Sequence, residues 1–129
     1  MDRRTILLVE DDHAVRAALE HVLKASHYHV VPAANHRQAL DGLATQAIDL
    51  VLLDLNLGRE GGWETFDQLH ALRPLVPILV MSACPDQFRY DSAWAAAGLL
   101  EKPFSLGTLM QKLAVLLAPL GPQLVSARA

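Results

Sequence analysis

Three short apolar runs, Ile6 to Val9, Ile48 to Leu53 with Asp49 as its one polar residue, and Ile78 to Met81, proceed without regular polar alternation. A strand with one face in water alternates. A run that does not alternate asks to be covered on both faces, which is the condition of strands in a parallel sheet. A fourth run, Tyr28 to Ala33, is interrupted by His29 and Pro32, and a proline without its N–H is tolerated at a sheet edge. Gly98 to Leu100 supplies a short fifth run.

Between the runs the apolar period becomes helical. After Asp11 and Asp12, residues Val15, Ala18, Leu19, Val22 and Leu23 recur at three- and four-residue spacing, which lays one stripe of a first helix on a core. Asn35 is placed to cap a second helix carrying Ala39, Leu40 and Leu43, and Trp63, Phe66, Leu69 and Leu72 mark a third. A fourth, with a poor apolar stripe, is expected between Cys84 and Gly98, where Pro85, Asp86 and the small run Ala95 to Ala97 stand. Ser105 caps the last helix, which runs through Leu109, Leu113 and Leu116 until Pro119 stops it. Strand and helix alternate five times with short connections, which predicts an α/β fold: a doubly wound parallel sheet with right-handed crossovers and helices on both faces. The domain is expected to span residues 1–118, with PLGPQLVSARA, residues 119–129, as a mobile tail.

With 129 residues, 52 % of them hydrophobic, the chain holds one core and has little left for a second module, so an effector domain is expected on another chain. Its formal net charge of −3 and lack of a basic run argue against direct nucleic-acid binding. The single cysteine, Cys84, excludes an internal disulfide and suits a reducing compartment. The opening MDRRTILLVEDD turns acidic too soon for a signal peptide or a membrane span, so a cytoplasmic location is expected.

Ligands of open parallel sheets bind beyond the carboxyl ends of the strands. There the apolar runs end in Glu10, Asp11 and Asp12, in Asp54, in Ser82, and in Lys102 with Pro103. Carboxylates crowded into one crevice raise one another's pKa unless a cation intervenes. Oxygen ligands with room for water favour Mg²⁺. Aspartate is a competent nucleophile toward phosphorus, and a metal with a lysine can balance the charge on a transferring phosphoryl group. Asp54 is the best-placed nucleophile, Lys102 the second counter-charge and Ser82 a hydrogen-bond donor. Each residue also has an ordinary reading: Asp12 as the cap of the first helix, Asp54 and Ser82 as turn residues, Lys102 as a surface lysine. Their joint placement at successive strand ends favours a site.

The segments ILLVEDDHAVR, LVLLDLNLGREGG, VMSA and EKPF together resemble the receiver domain of two-component response regulators, over about residues 4 to 118. The resemblance implies a flavodoxin-like sheet of five strands in the order 2-1-3-4-5, an order known for such regulators. It implies Mg²⁺ held by Glu10, Asp11, Asp54 and the backbone carbonyl of Asn56. It implies Asp54 as phosphoacceptor, Ser82 as switch hydroxyl, Lys102 as phosphate-binding lysine, Pro103 as a cis proline, and Gly62 as the glycine opening the third helix. The implied partners are a sensor histidine kinase or histidine phosphotransfer protein, docking beside the pocket against the first helix, and an unidentified downstream protein. Three departures stand beside the matches. Leu99 replaces the family's usual tyrosine or phenylalanine, which removes an aromatic rotamer switch there; the stretch from Ser82 to Lys102 is short; and Gly58 stands where proline is frequent.

Two other functions compete with a phosphoacceptor: a phosphate-independent adaptor that keeps the pocket, and a Mg²⁺-dependent phosphohydrolase. Asn56, where such hydrolases carry a second aspartate, and the lack of residues for a cap count against the latter. His27 and His29 would share one face of the edge strand, as solvated histidines without a third ligand; His13 is expected at an exposed helix start. Trp63 and Trp94 are expected to pack, and Cys84 to be a small buried residue.

Overall fold

The computed structural model describes residues 3–57, 61–83 and 96–118. The uninterrupted apolar runs become β1 (Thr5–Val9), β3 (Leu50–Asp54) and β4 (Ile78–Ser82), joined by β2 (His29–Ala33) and β5 (Ala96–Glu101). All neighbours are parallel, in the order β2-β1-β3-β4-β5. The doubly wound order expected from the motifs is thus present.

Successive residues of each central strand enter different cores, which explains the missing alternation. Ile6, Leu8, Leu50, Leu52, Leu79 and Met81 pack with Leu19, Leu23, Leu109 and Leu113, from α1 (His13–Ala25) and α4 (Leu106–Leu116). Leu7, Val9, Val51, Leu53, Ile78 and Val80 pack with Ala39, Leu43, Phe66 and Leu69, from α2 (His36–Thr45) and α3 (Gly62–Leu72). Trp63 meets Phe66 edge-on, centroids 5.1 Å apart, as a packing residue.

The caps lie where their side chains dictate. Asp12, Asn35 and Ser105 accept from the backbone N–H three residues on, at Val15, Gln38 and Thr108. Pro32 sits in the outermost strand. His29 donates its N–H to the carbonyl of Arg4, just ahead of β1, so by alternation the nitrogen of Pro32 faces away and its missing donor costs no ladder bond.

Four expectations are corrected. Val15 and Ala18 stay exposed, Val15 at the edge of two open cavities, and the buried residues of α1 are Leu19 and Leu23. Ile48 is buried but precedes β3. His27 belongs to the turn after α1 with φ 69°, so it shares no strand face with His29. Ala96 and Ala97 begin β5 instead of ending a helix, with a register shift opposite Ile78 and Leu79. Otherwise the helix expected after Cys84, Cys84 itself, Trp94, Gly58 and the tail 119–129 lie outside the described residues. Among the described helices, none is long and apolar enough to cross a membrane.

Candidate functional site

Three strand ends and one loop converge at the carboxyl edge of the sheet. Glu10 follows β1 directly and is only 2 % exposed, its N–H donated to Ala33 of β2. Asp54 closes β3, equally buried. Lys102 follows β5 and donates its backbone N–H to the Ser82 carbonyl at 2.8 Å, which ties the lysine to the end of β4. Its peptide bond to Pro103 is cis.

The side chains then meet. Lys102 Nζ lies 2.8 Å from Asp54 Oδ2 and 3.8 Å from Glu10 Oε1. The other Asp54 oxygen, Oδ1, accepts the backbone N–H of Asn56 at 2.9 Å. Glu10, Asp11 and Asp54 each bring a carboxylate oxygen within 4.8 Å of the others. A cavity of about 340 Å³ opens over them, lined by Glu10, Asp11, Asp12, Val15, Asp54, Asn56 and Lys102. Ser82 is buried at the end of β4, one register step beyond the level of Asp54, and is not part of that lining.

Electrostatics sets Glu10 apart. Burial, and then the Asp54 carboxyl beside it as hydrogen-bond partner and like charge, push its pKa up to about 7; the Asp12 N–H and Lys102 pull the other way. Glu10 Oε2 accepts the Asp12 N–H at 3.3 Å, whereas the buried Oε1 has no hydrogen-bond partner among the described residues. An orphaned buried carboxylate oxygen is costly unless a donor or cation reaches it.

The acidic trio therefore divides. Asp12 is the helix cap of the ordinary reading, while Glu10 and Asp11 turn toward Asp54. Gly62 is demanded by the fold: its N–H reaches the Leu55 carbonyl at 2.9 Å, and a Cβ there would stand 2.2 Å from Leu55 Cα. Leu99 is half-buried in β5 beside Val80 and packs on the α2–α3 core.

Two arrangements went unread in the sequence. Arg16, inside the segment ILLVEDDHAVR, donates to the Glu10 carbonyl at 2.8 Å. His36 bridges α2 to α3 through Thr65 at 2.8 Å and Gln68 at 3.0 Å, and the Thr65 hydroxyl donates to Gly61 at 3.3 Å. Neither has a local signal, since each contact depends on how a helix is rotated on the sheet.

Beside the acidic cavity lies a second opening of about 400 Å³. Val15, Leu19, Met81, Pro103 and Phe104 give it apolar walls, and it shares Glu10, Val15 and Lys102 with the first.

The chain is similar in sequence and in fold to known proteins. The response regulator MprA of Mycolicibacterium vanbaalenii is 38 % identical over 115 residues, covering 87 % of this chain and 49 % of the relative. The chain thus spans about half the length of that curated relative. The non-phosphorylated HemR receiver domain of Leptospira biflexa superposes with a TM-score of 0.83 at 29 % identity, covering 93 % of this chain and 98 % of the other. The response regulator TrrA of Thermotoga maritima, solved in complex with Mg²⁺ and BeF, superposes with a TM-score of 0.81 at 27 % identity, covering 88 % and 99 %. Residues 6–114 match the family profile of the response regulator receiver domain, a span that takes in every strand end described above. Fold and sequence thus agree, and the chain belongs to the receiver domains of two-component response regulators.

Proposed function

We propose that this receiver accepts a phosphoryl group on Asp54 from a phosphohistidine donor, a sensor histidine kinase or a histidine phosphotransfer protein. An Asp54 carboxylate oxygen attacks phosphorus as the phosphorus–nitrogen bond breaks; the aspartyl phosphate forms and the imidazole leaves. The observation that carries this reading is the ammonium of Lys102, 2.8 Å from Asp54 and still within ion-pair range of Glu10. It can follow the negative charge as that charge moves onto the phosphoryl oxygens. Ser82, at the end of the neighbouring strand, is assigned the hydrogen bond to a phosphoryl oxygen. The apolar opening beside α1 suits the docking of a donor helix.

The residues fit a magnesium ion. All three carboxylates offer hard oxygen donors, and the orphaned Glu10 Oε1 lies where a cation would relieve it. Glu10, Asp11, Asp54 and the Asn56 carbonyl are the proposed ligands, and TrrA, a relative of the same fold, was solved with Mg²⁺. When bound, the ion supplies positive charge opposite Lys102 and a contact for phosphoryl oxygens. The protein thus catalyses only its own phosphorylation and dephosphorylation, in the cytoplasm, and passes the signal to a downstream protein or acts as a phosphate shuttle.

A phosphate-independent adaptor is the second reading, favoured by Leu99, an aliphatic residue packed on the core where the family usually carries an aromatic switch. Incubation with Mg²⁺ and acetyl phosphate, followed by intact mass, separates the two. The wild type is expected to gain one phosphoryl group and Asp54→Asn none. An unlabelled wild type would make the adaptor reading the better one, and equal labelling of Asp54→Asn would refute the acceptor.

A further inference from the structure

The backbone carbonyls of Glu10, Asp11 and Asp12 all accept from a single residue one turn further on. Arg16 Nη1 donates to the Glu10 carbonyl at 2.8 Å and, more weakly, to that of Asp11 at 3.4 Å. The Arg16 backbone N–H donates to the Asp12 carbonyl at 2.8 Å. The other arm of the guanidinium, Nη2, lies 3.2 Å from His13 Nδ1, which resists turning of the plane. The side chain is half-buried, and among the described residues it forms no ion pair with a carboxylate.

We propose that Arg16 is a positioning residue for the cation site, holding the peptide planes from which the Glu10 and Asp11 carboxylates project. The inference rests on the proposed Mg²⁺ reading of that site. Two of the three clustered carboxylates stand on this one turn, and they repel each other and Asp54. Left to itself, the turn would relax by rotating its peptide planes and swinging the carboxylates apart. A guanidinium whose Nη1 donates to both carbonyls while Nη2 is held against His13 opposes that rotation, and a lysine, without a second arm for His13, opposes it less well.

Positioning and simple charge make opposite demands on Mg²⁺ affinity. A positive charge beside the site repels the ion, so its removal alone would tighten binding. Loss of a residue that orients ligands weakens binding, by tenfold or more in metal sites generally.

Calorimetric titration of the full chain with MgCl₂ at fixed ionic strength, on wild type, Arg16→Gln and Arg16→Lys, decides between them. The expected result is a Kd raised about tenfold in Arg16→Gln, with Arg16→Lys between that and the wild type. Far-UV circular dichroism and thermal unfolding with EDTA check that each protein is folded, since a purely structural role would lower Tm and leave the Kd of the folded protein unchanged. Unchanged or tighter binding by Arg16→Gln overturns the proposal while leaving the site reading intact. A wild type that takes up no Mg²⁺ removes the site reading itself and this inference with it. Should Arg16→Gln fail to fold, Arg16→Lys decides alone, and a wild-type Kd in that variant overturns the proposal.

Discussion

Lys102 Nζ stands 2.8 Å from Asp54 Oδ2 and 3.8 Å from Glu10 Oε1, so one ammonium is shared unequally between two buried carboxylates. Asp54 receives a direct, charge-assisted hydrogen bond; Glu10 receives only the field of the charge. The inequality agrees with the raised pKa of Glu10.

Glu10 should make the metal-free protein less stable as pH rises. With its pKa up from 4.5 to about 7, the folded chain holds a proton that the unfolded chain has already released between those values. Stability contributed by the neutral form is thus complete below pH 4.5 and lost as pH climbs through 7. In EDTA, Glu10→Gln should exceed the wild type by about 1–3 kcal/mol at pH 8 and by little at pH 4.5. Urea midpoints across that range check this, and added Mg²⁺ should narrow the gap at pH 8. A gap independent of pH would refute the titration.

Lys102→Met should remove the only cation that the described residues bring to Glu10 and Asp54. Leaving buried carboxylates uncompensated should cost about 2–4 kcal/mol at pH 8 without metal. The loss should shrink toward pH 5, where Glu10 takes up its proton. Phosphorylation by acetyl phosphate should slow by about a hundredfold, the usual order for one lost donor at a developing anion. Denaturation curves and initial rates of mass labelling test both parts; a variant labelled at the wild-type rate would exclude Lys102 from the transfer.

Gly62→Ala should be costly although alanine is the better helix former. The added methyl would meet the Leu55 backbone, at 2.2 Å from Cα and 2.3 Å from the carbonyl oxygen, and backbone does not yield as a side chain can. A loss of about 1–3 kcal/mol is expected from overpacking. Gly107→Ala, near only Ser105 Oγ at 3.8 Å, should instead be neutral or mildly stabilising. Thermal melts of the two variants side by side provide the measurement.

Much of this architecture was legible in the chain itself. Runs such as Leu50 to Leu53 must be covered on both faces, and the helical stripes between them leave few arrangements other than a doubly wound sheet. Caps are local, so Asp12, Asn35 and Ser105 were readable from side-chain chemistry and position. The site was legible because strand ends are. Glu10, Asp54 and Lys102 were found by asking where apolar runs stop, and the fold brings those stops to one edge.

What the tertiary structure decided was rotation, depth and partition. Val15 and Ala18 fit the apolar period of α1 yet stay exposed, while Leu19 and Leu23 of the same stripe are buried, because the seating of the helix and not its period determines what is covered. Asp11 and Asp12 are adjacent and chemically alike, and only the start of α1 makes one a cap and turns the other toward Asp54. The reach of Arg16 back to the Glu10 carbonyl has the same origin. Sequence patterns record which residues shun water; how a helix is seated on a sheet follows from packing among all of them at once, and that seating determines which polar groups meet.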